Sequence, residues 1–120
     1  LFPADLGDPA KVEKAIAGSE VVYLLVGFDY NIQVWREKWP KLMRATIAAC
    51  QKHSAKLVFF DNVYCYDPAY LGKMTEETPM NAVSKKGKVR QEIVQMLLSA
   101  IQDGSLTALI ARAPDFYGPY

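Results

Sequence analysis

Apolar residues along this chain fall into two spacings, short unbroken runs and stripes at intervals of three and four. Val21 to Val26 and Leu57 to Phe60 are unbroken runs, too short for typical helices and suited to parallel strands covered on both faces. Thr107 to Ala111 is a third strand segment, and Leu1 to Leu6 reads as the tail of an earlier one. Asp8 and Pro9 form an N-cap and first-turn pair that opens a helix through Val12, Ala15 and Ile16, closed at Gly18. Trp35, Trp39, Leu42, Met43, Ile47 and Cys50 mark one face of a second helix. Pro40 lies inside that stripe, so the helix either kinks there or begins there. Ser84 is placed to cap a third helix, with Val89, Ile93, Met96 and Leu97 on one face and its end at Gly104.

The resulting order, β, α, β, α, β, α, β, predicts a parallel sheet with helices on its faces and right-handed crossovers. No internal repeat, low-complexity tract or domain boundary interrupts it. The 120 residues are 51% hydrophobic and 22% charged, which describes one soluble domain with a real core. Fourteen basic and 13 acidic side chains leave a formal charge of +1, so neither nucleic acid nor a membrane surface is an expected partner. Two cysteines, Cys50 and Cys65, do not make a disulfide framework, and a reduced cytoplasmic setting follows as the expectation. His53, the single histidine, falls at a helix end that favours a cation, and no ligand spacing for a metal is present. No apolar stretch reaches the roughly 20 residues of a transmembrane span.

Candidate chemistry concentrates in Lys56 to Pro68. In open α/β sheets ligands gather at the carboxyl ends of strands, and here the strand gives way to Asp61, Asn62, Tyr64 and Tyr66. The plainer alternatives stand beside this. Asp61 and Asn62 are ordinary turn residues after a strand, and tyrosines are often simply buried with a satisfied hydroxyl.

Four segments in order resemble the extended short-chain dehydrogenase/reductase superfamily, the NAD(P)-dependent sugar epimerases and dehydratases. Ala4-Asp5-Leu6-Gly7-Asp8-Pro9 resembles the segment after that family's third strand, and Val21 to Gly27 resembles its fourth strand. Phe60-Asp61-Asn62-Val63-Tyr64-Cys65-Tyr66-Asp67 is similar to its Ser-Ser-x-x-Val-Tyr-Gly. Ala111-Arg112-Ala113-Pro114-Asp115-Phe116-Tyr117-Gly118-Pro119 is similar to its Arg-Pro-x-Asn-x-Tyr-Gly-Pro. The resemblance implies NAD or NADP as cofactor, contacted by Asp5, Leu6, Val26, Gly27 and Arg90. It also implies a small-molecule substrate, nucleotide-sugar-like or otherwise polar, near Asp61, Tyr64, Arg112 and Asp115.

The catalytic positions depart from that pattern. Asn62 stands at the second serine, where its amide can still donate to a substrate oxygen. Lys86 and Arg90 stand where the family has tyrosine and lysine, because Ser84 and Gly87 then match the flanking residues. A lysine exchanges protons near neutrality only when its pKa is lowered by burial or nearby cations, and an arginine does not exchange them at all. Without the resemblance, two cations one helical turn apart read as a solvated face.

The fold implied is a Rossmann-like three-layer α/β/α domain with a parallel sheet, partial, with the family's strands one and two absent. No G-x-G occurs among the seven glycines, so the phosphate-cradling turn is expected upstream of Leu1 and the chain is expected to be an internal piece of a longer protein. Val21 to Val26 would then present an unpaired, aggregation-prone edge. Three functions follow as expectations: an NAD(P)-dependent epimerase, dehydratase or reductase with Asn62, Lys86 and Arg90 in the catalytic positions; a non-catalytic dinucleotide sensor; or a module dimerising through the helices at 34–53 and 84–103.

Overall fold

The computed structural model describes residues 2–114, 118 and 119. Asp8 opens α1 (Pro9–Ile16), its carboxylate accepting the Ala10 amide at 3.0 Å, and Gly18 follows the helix with φ of 80°. β1 (Val21–Leu24) leads to α2 (Ile32–His53), which Asn31 caps by accepting from Gln33 and Val34. β2 (Lys56–Asp61), a short 3-10 helix at Pro68–Tyr70, α3 (Lys85–Gln102) and β3 (Ala108–Arg112) complete the order.

Three expectations are corrected here. Leu1 to Leu6 was read as a strand tail, but residues 2–6 pair with no strand. Asp5 instead turns the chain, its carboxylate accepting the Gly7 amide and its carbonyl accepting from Asp8. A strand exists through its ladder bonds, and among the described residues β1 has a partner on one side only. The run from Val21 also leaves the ladder after Leu24, the last residue in register with β2. Of the two options at Pro40, finally, a helix start is the one overturned: α2 starts at Ile32 and continues through the proline, which is buried. A proline inside a helix costs on the order of 3 kcal/mol, and the burial of Trp35, Trp39, Leu42 and Met43 on the same helix offsets that.

The strands are parallel in the order β1-β2-β3, with Leu24 beside Phe59, and Phe59 beside Ile110. Both crossovers step the same way across the sheet, so right-handed connections place α2 and α3 on one face, with α1 packed against α2. Leu24, Leu57 and Phe59 point into that face and meet Trp39, Leu42, Met43, Ile93 and Leu97 in the core. The alternate positions remain open, with Tyr23 65% and Leu109 60% exposed. The described residues therefore build two of the three expected layers, a partial Rossmann-like α/β fold in which the apolar runs are covered on one face rather than both.

Candidate functional site at the carboxyl ends of the strands

Beyond the last residues of β1 and β2 lies a cleft of about 250 Å³. Val26 and Gly27 form one side and Asn62 and Tyr64 the other, with Phe28, Trp35, Trp39 and Phe60 as aromatic walls and Asp61 and Arg90 also lining it. Parallel strands bring these residues together because all their carboxyl ends face one way. Six of the sequence-derived candidates, Val26, Gly27, Asp61, Asn62, Tyr64 and Arg90, thus converge on one cavity. Asp5 is exposed and bonded to its own turn, Leu6 packs against the core, and Arg112 lines a different cavity. Asp115 and Tyr117 lie outside the described residues.

The polar centre of the cleft is a buried ion cluster. Asp61 is 2% exposed and Arg90 3%, and Asp61 Oδ1 accepts from Arg90 Nε at 2.8 Å and Nη2 at 2.5 Å. Arg112 Nε donates to Asp61 Oδ2 at 3.3 Å from the adjacent strand, where Asp61 and Arg112 are register partners. The Arg90 guanidinium also lies 4.3 Å from the Trp39 ring centre and 5.0 Å from that of Phe59. Burying charges is unfavourable unless they are paired and hydrogen-bonded, and this cluster meets both conditions. Arg90 is therefore no solvated helix cation. Nor does Asp61 present its carboxylate to a ligand, because both oxygens already accept from arginine.

Gly87 makes this approach possible. A Cβ on Gly87 would lie 2.3 Å from the Tyr64 carbonyl oxygen and 2.8 Å from Ser84 Oγ, which caps α3 through the Gly87 amide. Only glycine lets the first turn of α3 press against the Tyr64 backbone, and Arg90 follows one turn later. Gln91 holds the other side of the loop, accepting from the Ala82 amide and donating to the Met80 carbonyl.

Lys86 is placed differently from Arg90. Its Nζ donates to the Tyr30 carbonyl at 2.9 Å and lies over the Tyr30 ring, with Trp35 5.7 Å away. The ammonium ties α3 to the β1–α2 loop and does not line the cleft. Asn62 Oδ1 accepts the Tyr64 amide at 3.0 Å, an Asx turn that fixes the side chain and leaves its Nδ2 donors without an acceptor among the described residues. His53 sits in the last turn of α2, 3.4 Å from Glu13. No group of three metal-ligating side chains occurs among the described residues.

In the sequence Trp35 and Trp39 marked only one face of a helix. They are also walls of the cleft, and Trp39 Nε1 is buried without a hydrogen-bond partner among the described residues. The legible signal was two tryptophans four residues apart in the first turns of a helix that follows a strand.

No family model and no curated protein matches this chain. Solved structures do. The chain is similar to dTDP-glucose 4,6-dehydratase from Streptomyces venezuelae, solved with NAD bound, with a TM-score of 0.85 and 15% identity over 98% of this chain and 38% of that one. It is similar to a short-chain dehydrogenase/reductase superfamily protein from Agrobacterium tumefaciens with bound NAD, with a TM-score of 0.77 and 21% identity over 90% of this chain and 35% of that one. UDP-glucose 4-epimerase from Thermus thermophilus, in complex with NAD, gives a TM-score of 0.73 and 20% identity over 92% of this chain and 39% of that one. At these identities the likeness defines the fold alone, a partial Rossmann-like α/β fold shared with these NAD-bound structures. The chain spans under two fifths of the length of these structures.

Proposed function

We propose that this chain forms the nicotinamide-facing part of an NAD(P)-dependent oxidoreductase of the epimerase and dehydratase kind, acting on a nucleotide-sugar or another small polar substrate. The observation that carries the reading is the convergence of Val26, Gly27, Asn62 and Tyr64 on one aromatic cleft at the carboxyl ends of parallel strands.

The residues present fit the cofactor. A Cβ on Gly27 would meet nothing within 4 Å, so open space lies against this backbone. The buried Trp39 Nε1 is an orphaned donor of the kind a carboxamide oxygen satisfies. Val26, Gly27 and the aromatic walls would hold the nicotinamide ring, and Asp5 and Leu6 would reach the adenosine end. When bound, the dinucleotide supplies hydride acceptance and donation. Asn62 donates through Nδ2 to the reacting substrate oxygen, and Tyr64 beside it orients the substrate. Arg90 and Asp61 act from beneath by fixing the ends of β2 and α3.

Proton transfer is the altered step. Lys86 is committed to Tyr30, and an arginine side chain is not a proton-exchanging group. A second reading, a dinucleotide-binding sensor without turnover, is favoured by that same commitment. A homodimer through the outward faces of α2 and α3 belongs to either reading and is checked by light scattering.

Titrating the purified protein with NADH and NADPH, by the fluorescence of the reduced nicotinamide, tests the shared part. Saturable binding that Gly27→Val abolishes supports it, and absence of binding at millimolar cofactor ends both readings. Oxidation or reduction of bound cofactor on adding nucleotide-sugars then separates the enzyme from the sensor.

A further inference from the structure

Two guanidinium groups share one carboxylate where β2 and β3 end. Arg90 and Arg112 both bond Asp61, so this cluster holds two cations against one anion. Cys65, buried beside it, does not restore the balance: burial pushes its thiol up and keeps it neutral. Arg90 lies between aromatic rings, whereas Arg112 retains 17% side-chain exposure and lines a separate cavity of about 330 Å³. The uncompensated charge therefore reaches that cavity through Arg112.

The donors there are only partly used. Arg112 donates through Nε to Asp61, through Nη1 to the Tyr66 hydroxyl and through Nη2 to the weak acceptor Met80 Sδ at 3.9 Å. A guanidinium carries five N–H bonds, so one on each terminal nitrogen is left without an acceptor among the described residues. The Tyr66 hydroxyl accepts from Arg112, and its own proton meets no acceptor among those residues either. Both side chains line the cavity, whose other walls include Val63, Met74 and Ile110. Glu76 is the acidic residue on the wall and is exposed.

We propose that this cavity binds a small organic monocarboxylate, its carboxylate held by Arg112 and Tyr66 and its apolar body seated against Val63, Met74 and Ile110. One net positive charge matches a monoanion, and Glu76 disfavours a more highly charged guest. Planar carboxylate geometry suits the guanidinium fork. The site stands on this cavity alone and does not depend on dinucleotide binding in the neighbouring cleft.

Benzoate is the probe, titrated into the labelled protein and followed by backbone amide NMR, with benzamide as its neutral isostere and inorganic phosphate as a bare oxyanion. Saturable benzoate binding with shifts centred on Tyr66, Met74, Thr75 and Arg112 is the expected result. Glu76→Gln should tighten it several-fold by removing a like charge. Tyr66→Phe should weaken it about tenfold, the usual effect of losing one hydrogen bond to a charged group. Arg112→Met would also disturb Asp61, so the two milder variants carry the test, with unchanged melting as the control for folding. The proposal is overturned if benzoate does not saturate, if benzamide or phosphate binds as tightly, or if neither variant alters the affinity.

Discussion

Asp61 Oδ1 receives both Nε and Nη2 of Arg90, at 2.8 and 2.5 Å, across the junction between the end of β2 and the second turn of α3. The pair is inaccessible, flanked by Trp39 and Phe59, and shared with Arg112 on the next strand. It is the only place among the described residues where a buried carboxylate meets arginine, and it locks three elements around the cleft.

Removing the carboxylate charge leaves the buried Arg90 guanidinium without its anionic partner and takes from Arg112 its bond to the same group. Asp61→Asn is therefore expected to destabilise the fold by about 3 to 5 kcal/mol, the range for breaking a buried pair by deleting one partner. Arg90→Lys should also be poorly tolerated, since an ammonium cannot reproduce two donors in the guanidinium plane. Urea unfolding monitored by tryptophan fluorescence measures both. A loss below about 1 kcal/mol for Asp61→Asn would mean that the pair contributes only as much as a surface one.

Gly87 offers a test of sign. In an exposed helix Gly→Ala stabilises by about 0.5 to 1 kcal/mol, but here the new Cβ would meet the Tyr64 carbonyl oxygen at 2.3 Å. Gly87→Ala is expected to destabilise by about 1 to 3 kcal/mol, as overpacking does, and to loosen the Asn62–Tyr64 turn. Thermal melting checks it, and an unchanged or raised Tm would show that the contact relaxes without strain.

Both thiols are buried, and burial pushes Cys50 up to about 11 and Cys65 in the same direction. Thiolate, not thiol, is the nucleophile. A disulfide reagent at mildly alkaline pH should therefore modify neither cysteine in the native protein and both after unfolding in guanidinium. Rapid stoichiometric modification of the native protein would contradict this placement.

Acid should weaken the fold through specific surface carboxylates. Glu13 is held below its ordinary range, first by its hydrogen bond from Lys52 at 2.6 Å. Asp67 is held down first by the Ala69 amide, and Asp103 first by Ser105. A carboxylate whose folded pKa is depressed contributes stability above its unfolded value, and that contribution disappears as pH falls through the folded value. Stability should thus be flat from neutrality down to the ordinary carboxylate range and decline below it. Glu13→Gln should flatten part of that decline in a series of urea melts, and an unaltered pH profile would remove Glu13 from the account.

Much of this was readable from local chemistry. Asp8 with Pro9, and Ser84 before α3, are caps that act within a few residues, and both stand where the sequence places them. The runs at Val21 and Leu57 marked strands because unbroken apolar segments of that length have few other uses. Of the two options at Pro40, a helix start there is excluded because α2 already runs from Ile32, and proline's local penalty was set against burial along the whole helix. Leu1 to Leu6 misled because extended sequence becomes a strand only beside another.

The sequence by itself determined the alternation of elements from α1 onward, the parallel sheet and the location of polar residues at its carboxyl ends, since these follow from periodicity, caps and chain direction. Only the tertiary structure decided what those residues do to one another. Lys86 and Arg90 are one turn apart, yet one reaches the Tyr30 carbonyl and the other the Asp61 carboxylate. The difference lies in partners 56 and 29 residues away, and charge pairing over such separations is set by sheet register and helix packing, which no local pattern encodes.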